Sequence, residues 1–321
     1  MAMKLSDADH VDEILREWLR ACPAVDPSPI GITGRVTRIA LYTERDDEHH
    51  LVPYRLTRSG FEVLTALRDN PAHRLSPTLL ARGQRMSSAG ITGLVDQLAD
   101  MGLVARSPEP HDRRRVVLTL TRQGSDIVTK AGASWRDHKV RFVRAIGADS
   151  VRFLDEMLGQ LLATFEPGSN AALEGTGRRL TRMALDINTE AEVLFSRFGI
   201  THGSFQVLAS LYRSGPPYRR SPSRVAHGLM LSGAGLTGRM DQLERSGMLQ
   251  RNRDLDDRRA IVVELTPAGR RVVRASFPEF VASHRRLLDQ ALAPDQQAAL
   301  SPLLRTVLKQ FEASEPPAAK R

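Results

Sequence analysis

The sequence is poor in the groups that metal, redox and membrane chemistry need. It has a single cysteine, Cys22, so no intramolecular disulfide can form, and a cytosolic setting is expected. Cys22 follows a helical stretch and precedes Pro23, and is read as a plain thiol rather than a reactive one. No apolar run approaches the ~18 residues needed to span a bilayer. Met1–Lys4 leads into polar residues, so no signal peptide is expected. His49 and His50 lack further ligands at metal-binding spacing, and no nucleophile–base constellation stands out. These absences argue against an enzyme, and no cofactor is expected.

What is present is a soluble composition with an excess of basic charge. The chain has 321 residues, 41% hydrophobic and 26% charged, with a formal net charge of +9. The excess is uneven: residues 161–321 carry 23 basic against 16 acidic side chains, and residues 1–160 carry 23 against 21. A basic surface suits a polyanionic partner, because neutralising phosphates releases counterions.

The most informative feature is an internal duplication. Ser87–Arg114 and Ser232–Arg259 align without a gap, with 13 identities in 28 positions. The match extends upstream: Arg35–Leu41 resembles Arg179–Leu185, and Thr57–Leu67 resembles Thr201–Leu211. A period near 145 residues is the length of a domain, far beyond that of a solenoid repeat. The expected organisation is an N-terminal helical extension (1–31), a first repeat (32–166), a linker (167–176), a second repeat (177–312) and a tail (313–321).

Each repeat carries the signals of a winged helix-turn-helix. Ser76-Pro77 and Ser221-Pro222 read as helix starts, with serine capping and proline in the first turn. Ser87 and Ser232 cap the next helix, and Gly102 and Gly247 follow it. Arg106–Thr121 and Arg251–Thr266 read as hairpins with charged tips. Beyond them, Val151, Leu154, Leu158, Leu161 and Phe165 in one copy, and Leu300, Leu304, Val307 and Phe311 in the other, form helical seams expected to pair between the copies. An amphipathic helix with Val11, Ile14, Leu15, Trp18 and Leu19 on one stripe precedes the first copy and has no counterpart before the second. Prolines 23, 27 and 29 are expected to end it.

These residues resemble the MarR family of bacterial winged-helix repressors over both copies. The specific parts are the serine-rich start of the second helix, the D-Q-L…G-x-x-x-R run, and Asp-Arg-Arg leading into a strand ending L-T-x-x-G (Leu120–Gly124, Leu265–Gly269). Ordinary members are homodimers of chains about half this length, so the fusion departs from the pattern. The resemblance implies a mainly α fold with small β-hairpin wings, two winged helix-turn-helix domains forming a single-chain pseudo-dimer. The DNA-binding residues it implies are Ser76, Ser87, Ser88, Thr92, Arg106, Arg113, Arg114 and Arg115 in the first copy. In the second they are Ser221, Ser232, Thr237, Arg239, Arg251, Arg258 and Arg259. Asp112 and Asp257 would orient the wing arginines.

Short polar side chains at the start of a recognition helix suit base edges and phosphates, and wing arginines suit a minor groove or phosphates. Gly90, Gly93, Gly235 and Gly238 each cost up to ~1 kcal/mol of helix stability. Either close approach to the duplex or tight helix packing would account for them. Arg239 stands opposite Leu94, so the two half-sites of the expected pseudo-palindromic double-stranded DNA need not be identical. Gly233–Gly238 spells G-x-G-x-x-G, but it follows a helix, not a strand, and is read as no nucleotide site. The resemblance also implies a small-molecule effector, anionic aromatic compounds being common. Trp18, Arg38, Phe61, Arg182 and Phe205 are candidate lining residues, with core packing or surface exposure the alternative. The expected function is a cytoplasmic, effector-released repressor that works as one chain. The rival reading is a winged-helix scaffold used for protein contacts or nonspecific DNA binding.

Overall fold

The structure is a computed structural model and describes residues 8–84, 86–109, 112–144, 146–165, 176–253 and 261–314. The chain opens with α1 (His10–Ala21) and α2 (Ser28–Leu51). The first winged helix follows: α3 (Arg58–Asp69), β1 (Arg74–Leu75), α4 (Pro77–Gln84), α5 (Ser88–Asp100), β2 (Val104–Glu109) and β3 (Asp112–Leu120). Next are α6 (Arg122–Arg144), α7 (Ala148–Phe165) and α8 (Thr176–Ser196). The second winged helix is α9 (His202–Arg213), β4 (Arg219–Arg220), α10 (Pro222–Gly228), α11 (Gly233–Arg245), β5 (Leu249–Arg253) and β6 (Ile261–Leu265). Helices α12 (Pro267–Ala291) and α13 (Pro294–Ser314) close the described chain.

Local chemistry sets these boundaries. Asp9 caps α1 reciprocally: its carboxylate accepts from the Asp12 amide at 2.8 Å, while the Asp12 carboxylate accepts from the Asp9 amide at 3.1 Å. Thr57 and Thr201 cap α3 and α9 in the same way as each other, each hydroxyl accepting from the third amide onward. The glycine of each L-T-x-x-G run is a steric requirement. A Cβ at Gly124 would lie 2.1 Å from the Leu103 carbonyl oxygen, and one at Gly269 would lie 2.2 Å from that of Met248. The helix after the wing therefore starts against the backbone leading into the first hairpin strand, and only hydrogen fits between.

Two details depart from the sequence reading. Helix α2 begins at Ser28, so Pro29 lies in its first turn, where proline loses no hydrogen bond. Each hairpin also gains a third short strand, giving sheet orders β1-β3-β2 and β4-β6-β5. Arg74 pairs with Thr119 and Arg219 with Glu264. Two-residue strands carry too little periodicity to be seen before tertiary pairing supplies their hydrogen bonds.

The chain divides into two compact units that cut across the sequence repeats. One runs Tyr42–Val143; the other combines residues up to Leu41 with those from Arg144 onward. The smaller unit is organised around Phe61, Leu64, Leu67, Ile91, Leu98 and Leu118. The larger holds a core of Trp18, Phe195, Phe205, Leu208, Phe277 and Val281 among others. Within it α7 packs against α8, α12 and α13. Leu154, Leu158 and Leu161 are buried on α7, and Leu300, Leu304, Val307 and Phe311 on α13. Helix α7 ends the first repeat in sequence, yet its apolar face finds its partners among the helices of the second. The expected linker lies almost wholly outside the described residues, and α13 continues to Ser314.

The N-terminal segment is anchored in the larger unit by charge. Arg35 is fully buried and donates from Nε to Asp9 at 2.6 Å and from Nη2 to Asp12 at 2.6 Å. Arg305 of α13 reaches Asp12 at 2.8 Å. These guanidinium partners outweigh desolvation and hold the Asp12 carboxyl down at about 2. The Arg35 counterpart in the second repeat, Arg179, pairs instead with Asp155 of α7 at 2.8 Å.

Candidate nucleic-acid interface and its adjoining cavity

Helices α5 and α11 present matching surfaces. Ser87 accepts from the Gly90 amide at 3.1 Å and Ser232 from the Gly235 amide at 3.2 Å. Ser88, Thr92 and Thr237 are exposed within the first two turns. Thr92 donates to the Ser88 carbonyl and Thr237 to that of Gly233, both at 2.8 Å. The hydroxyl protons are thus spent on the helix, leaving the oxygens free to accept from outside. Gly93 and Gly238 have open space where a Cβ would stand, so tight helix packing does not explain them. Ser76 and Ser221 cap α4 and α10, accepting from the amides of Leu79 at 3.3 Å and Arg224 at 3.4 Å. Helix starts of this kind collect unpaired amides and the positive end of the helix dipole, both suited to phosphate.

Three arginines sit differently from expectation. Arg106 of β2 pairs with Asp96 of α5 at 2.6 Å, and Arg251 of β5 pairs with Asp241 and Glu244 of α11, each at 2.6 Å. In both copies this arginine ties the wing to the recognition helix, and the Asp of the D-Q-L run is its partner. The hydrogen bond that Arg251 donates to Asp241 raises the Arg251 pKa. Arg239, expected to reach a base, folds back and lies half-buried against Gly203 of α9. Asp112, Arg113, Arg114 and Arg115 lie on β3, with their side chains outside the described set. Asp257, Arg258 and Arg259 also lie outside the described residues.

Next to α9 and α10, inside the larger unit, is a cavity of about 160 Å³. An apolar cavity of about 150 Å³ accommodates a benzene ring. Its aromatic walls include Trp18, Phe205 and Phe280. Trp18 stacks on Phe277 with centroids 3.5 Å apart, and Phe205 on Phe195 at 4.1 Å. Two cations reach it, Arg38 and Arg213. Nη1 of Arg38 donates to the Gly228 carbonyl at 3.0 Å, at the C-terminal end of α10. Glu17 of α1 bridges Arg213 at 3.1 Å and Arg220 of β4 at 2.6 Å. Burial lowers the Arg213 pKa to about 10 despite Glu17. Three imidazoles nearby stay neutral. Burial, aided by Arg38 and Arg213, lowers His10 to about 3; burial lowers His202 to about 4 and His284 to about 3.

Of the candidate lining residues, Trp18, Arg38 and Phe205 border this cavity, and Phe61 and Arg182 do not. Phe61 is core in the smaller unit. Arg182 turns along its own helix to Asp186 at 3.0 Å, a carboxylate one helical turn on. Arg213, His202, Phe280 and His284 were not anticipated. Glu17 and Arg213 lie 196 residues apart, and no spacing rule connects them. Cys22 is a free thiol whose pKa burial raises.

The profile of the MarR family matches residues 56–116 and 200–261. The regulator PecS of Dickeya dadantii (strain 3937) is 33% identical over 130 residues, 40% of this chain and 78% of PecS. The chain belongs to the MarR family. The repressor YetL of Bacillus subtilis (strain 168) is 40% identical over 77 residues, 24% of this chain and 46% of YetL. Among solved structures, AbsC of Streptomyces coelicolor aligns with 26% identity and a TM-score of 0.38, over 44% of this chain and 97% of AbsC. This MarR-family chain holds two matches to the family profile, and each of the two falls on one winged helix. Among the described residues no helix is long and apolar enough to cross a membrane, and no His/Cys/Asp/Glu cluster could hold a metal ion.

Proposed function

We propose that this chain is a sequence-specific DNA-binding transcriptional regulator, a repressor released by a small-molecule effector, in which one polypeptide serves both half-sites of a pseudo-palindromic operator. The observation that carries the effector reading is Arg38. It lines the ring-sized cavity and holds the carbonyl of Gly228, where α10 ends and the turn into recognition helix α11 begins. Aromatic walls, two cations and neutral imidazoles suit a planar anion. Such an anion competes with the Gly228 carbonyl for the Arg38 guanidinium and so bears on the turn that sets α11.

The test uses an operator selected by the protein from genomic DNA, followed by fluorescence anisotropy. Benzoate and hydroxybenzoates serve as probes. In a Trp135→Phe variant, Trp18 is the sole indole, so its quenching reports cavity occupancy. Quenching and operator release should share one midpoint, and Arg38→Met should shift both upward together. Release without quenching would place the effector elsewhere.

A further inference from the structure

Arg239 is one of the positions where the two recognition helices differ in chemistry, because the first copy has Leu94 there. In the second copy its guanidinium has a seat. A Cβ at position 203 would lie 2.8 Å from Cζ of Arg239, 2.9 Å from Nη1 and 3.1 Å from Nε. Glycine leaves that space empty and the guanidinium occupies it. The first copy has Ser59 at the position matching Gly203. Arginine therefore occurs where the facing helix lacks a side chain, and leucine where the facing helix keeps one.

The seat is a poor permanent home for a cation. Nη1 of Arg239 is buried without a hydrogen-bond partner, a destabilising condition for a donor. His202 is an electrostatic neighbour, which burial keeps neutral against the opposing charge of Glu192, with a smaller contribution from this guanidinium. Thr237 and Gly238, just before it on α11, are exposed. Rotation about the arginine's own side-chain bonds is enough to carry the guanidinium out along the same helix.

We propose that Arg239 has two positions: seated against Gly203 in the free protein, and swung out to a guanine edge on DNA. This makes Arg239 a base-reading residue of the second copy alone, withheld until DNA docks, and it rests on the DNA-binding reading above. A guanidinium can bond guanine at two points, whereas this seat leaves Nη1 without a hydrogen bond. His202 borders the seat and also lines the cavity, giving a cavity occupant a route to this arginine.

Gly203→Ser installs the first copy's residue. The atoms it meets are the far end of a flexible side chain, so the helix is retained and the guanidinium displaced. Gly203→Ala is a smaller version of the same change. Wild type, G203S, R239A and the double variant would be titrated by anisotropy against the selected operator and a panel with each second-half-site base pair replaced. R239A should weaken operator binding roughly tenfold and erase preference at a single base pair. G203S should tighten binding about threefold or more with Arg239 present and do nothing in its absence. Arg239→Lys should lose the base preference while keeping the salt dependence of wild type. Equal effects of G203S with and without Arg239, or an R239A loss spread evenly over all sequences, would overturn the proposal. A wild-type protein without sequence preference would overturn the DNA-binding reading itself.

Discussion

His284 shows how one side chain couples packing to proton chemistry. Its ring meets Phe280 edge-on at 4.2 Å and lines the cavity, and His202 is the titratable group that acts on it. Burial holds its pKa near 3 in the folded chain, against 6.5 in the unfolded one. Above pH 6.5 both states are neutral and the folded state is favoured. As pH falls below 6.5 the unfolded chain takes up a proton that the folded chain refuses, so stability declines until about pH 3. His10 and His202 act in the same direction. The urea midpoint should therefore fall as pH drops from 7 to 4, and His284→Phe should make that fall shallower by removing one of the three protons. An unchanged pH slope in H284F would mean that His284 is not buried as described.

At the scale of elements, the wing and the recognition helix are one mechanical piece in each copy. Asp96–Arg106 and Asp241–Arg251 occupy corresponding positions. Being partly exposed pairs, they contribute only ~0–1 kcal/mol each and serve mainly to set the hairpin's angle. The sequence marks the same arginines as DNA contacts; the acidic partner appears only when the hairpin closes on the helix. Arg251→Met should accordingly leave the salt dependence of DNA binding unchanged. Arg258 and Arg259, which the sequence sets in the charged stretch between the hairpin strands, should behave oppositely. Replacing both with alanine should weaken binding to every sequence and lower the salt slope by about one to two units, at ~0.9 per phosphate contact. A change in operator ranking at constant slope would assign that wing to reading groove shape instead.

At the scale of the whole molecule, the duplication and the packing of α7 on α13 bear on stoichiometry. Those two helices close the first and second repeats in sequence and bury their apolar seams within one compact unit of one chain. A homodimer would supply such a contact from two chains. The expectation is one chain per two-half-site operator, measured by light scattering on the complex. Two chains per operator, with like copies associating, would contradict it.

Much of this was legible because the duplicated sequence reads itself twice. Paired serine caps, D-Q-L runs and L-T-x-x-G endings mark the same elements in each copy. The serine caps rest on amides three residues on, and the D-Q-L and L-T-x-x-G runs on contacts inside one winged helix, so each copy displays them as a repeated motif. The apolar seams of α7 and α13 were visible as well, since helical periodicity is local. Tertiary structure alone decided the rest, because those contacts join residues far apart in the chain. Trp18, Arg38, Arg213 and His284 meet around one cavity only after α1 and α2 pack on the second repeat. Arg182 and Arg38 match in sequence, yet Asp186 captures the first while the carbonyl of Gly228 receives the second. Arg239 turns inward because Gly203, on another helix, leaves room for it. Residue type determined what each side chain could do, and the neighbours supplied by folding determined which of those things it does.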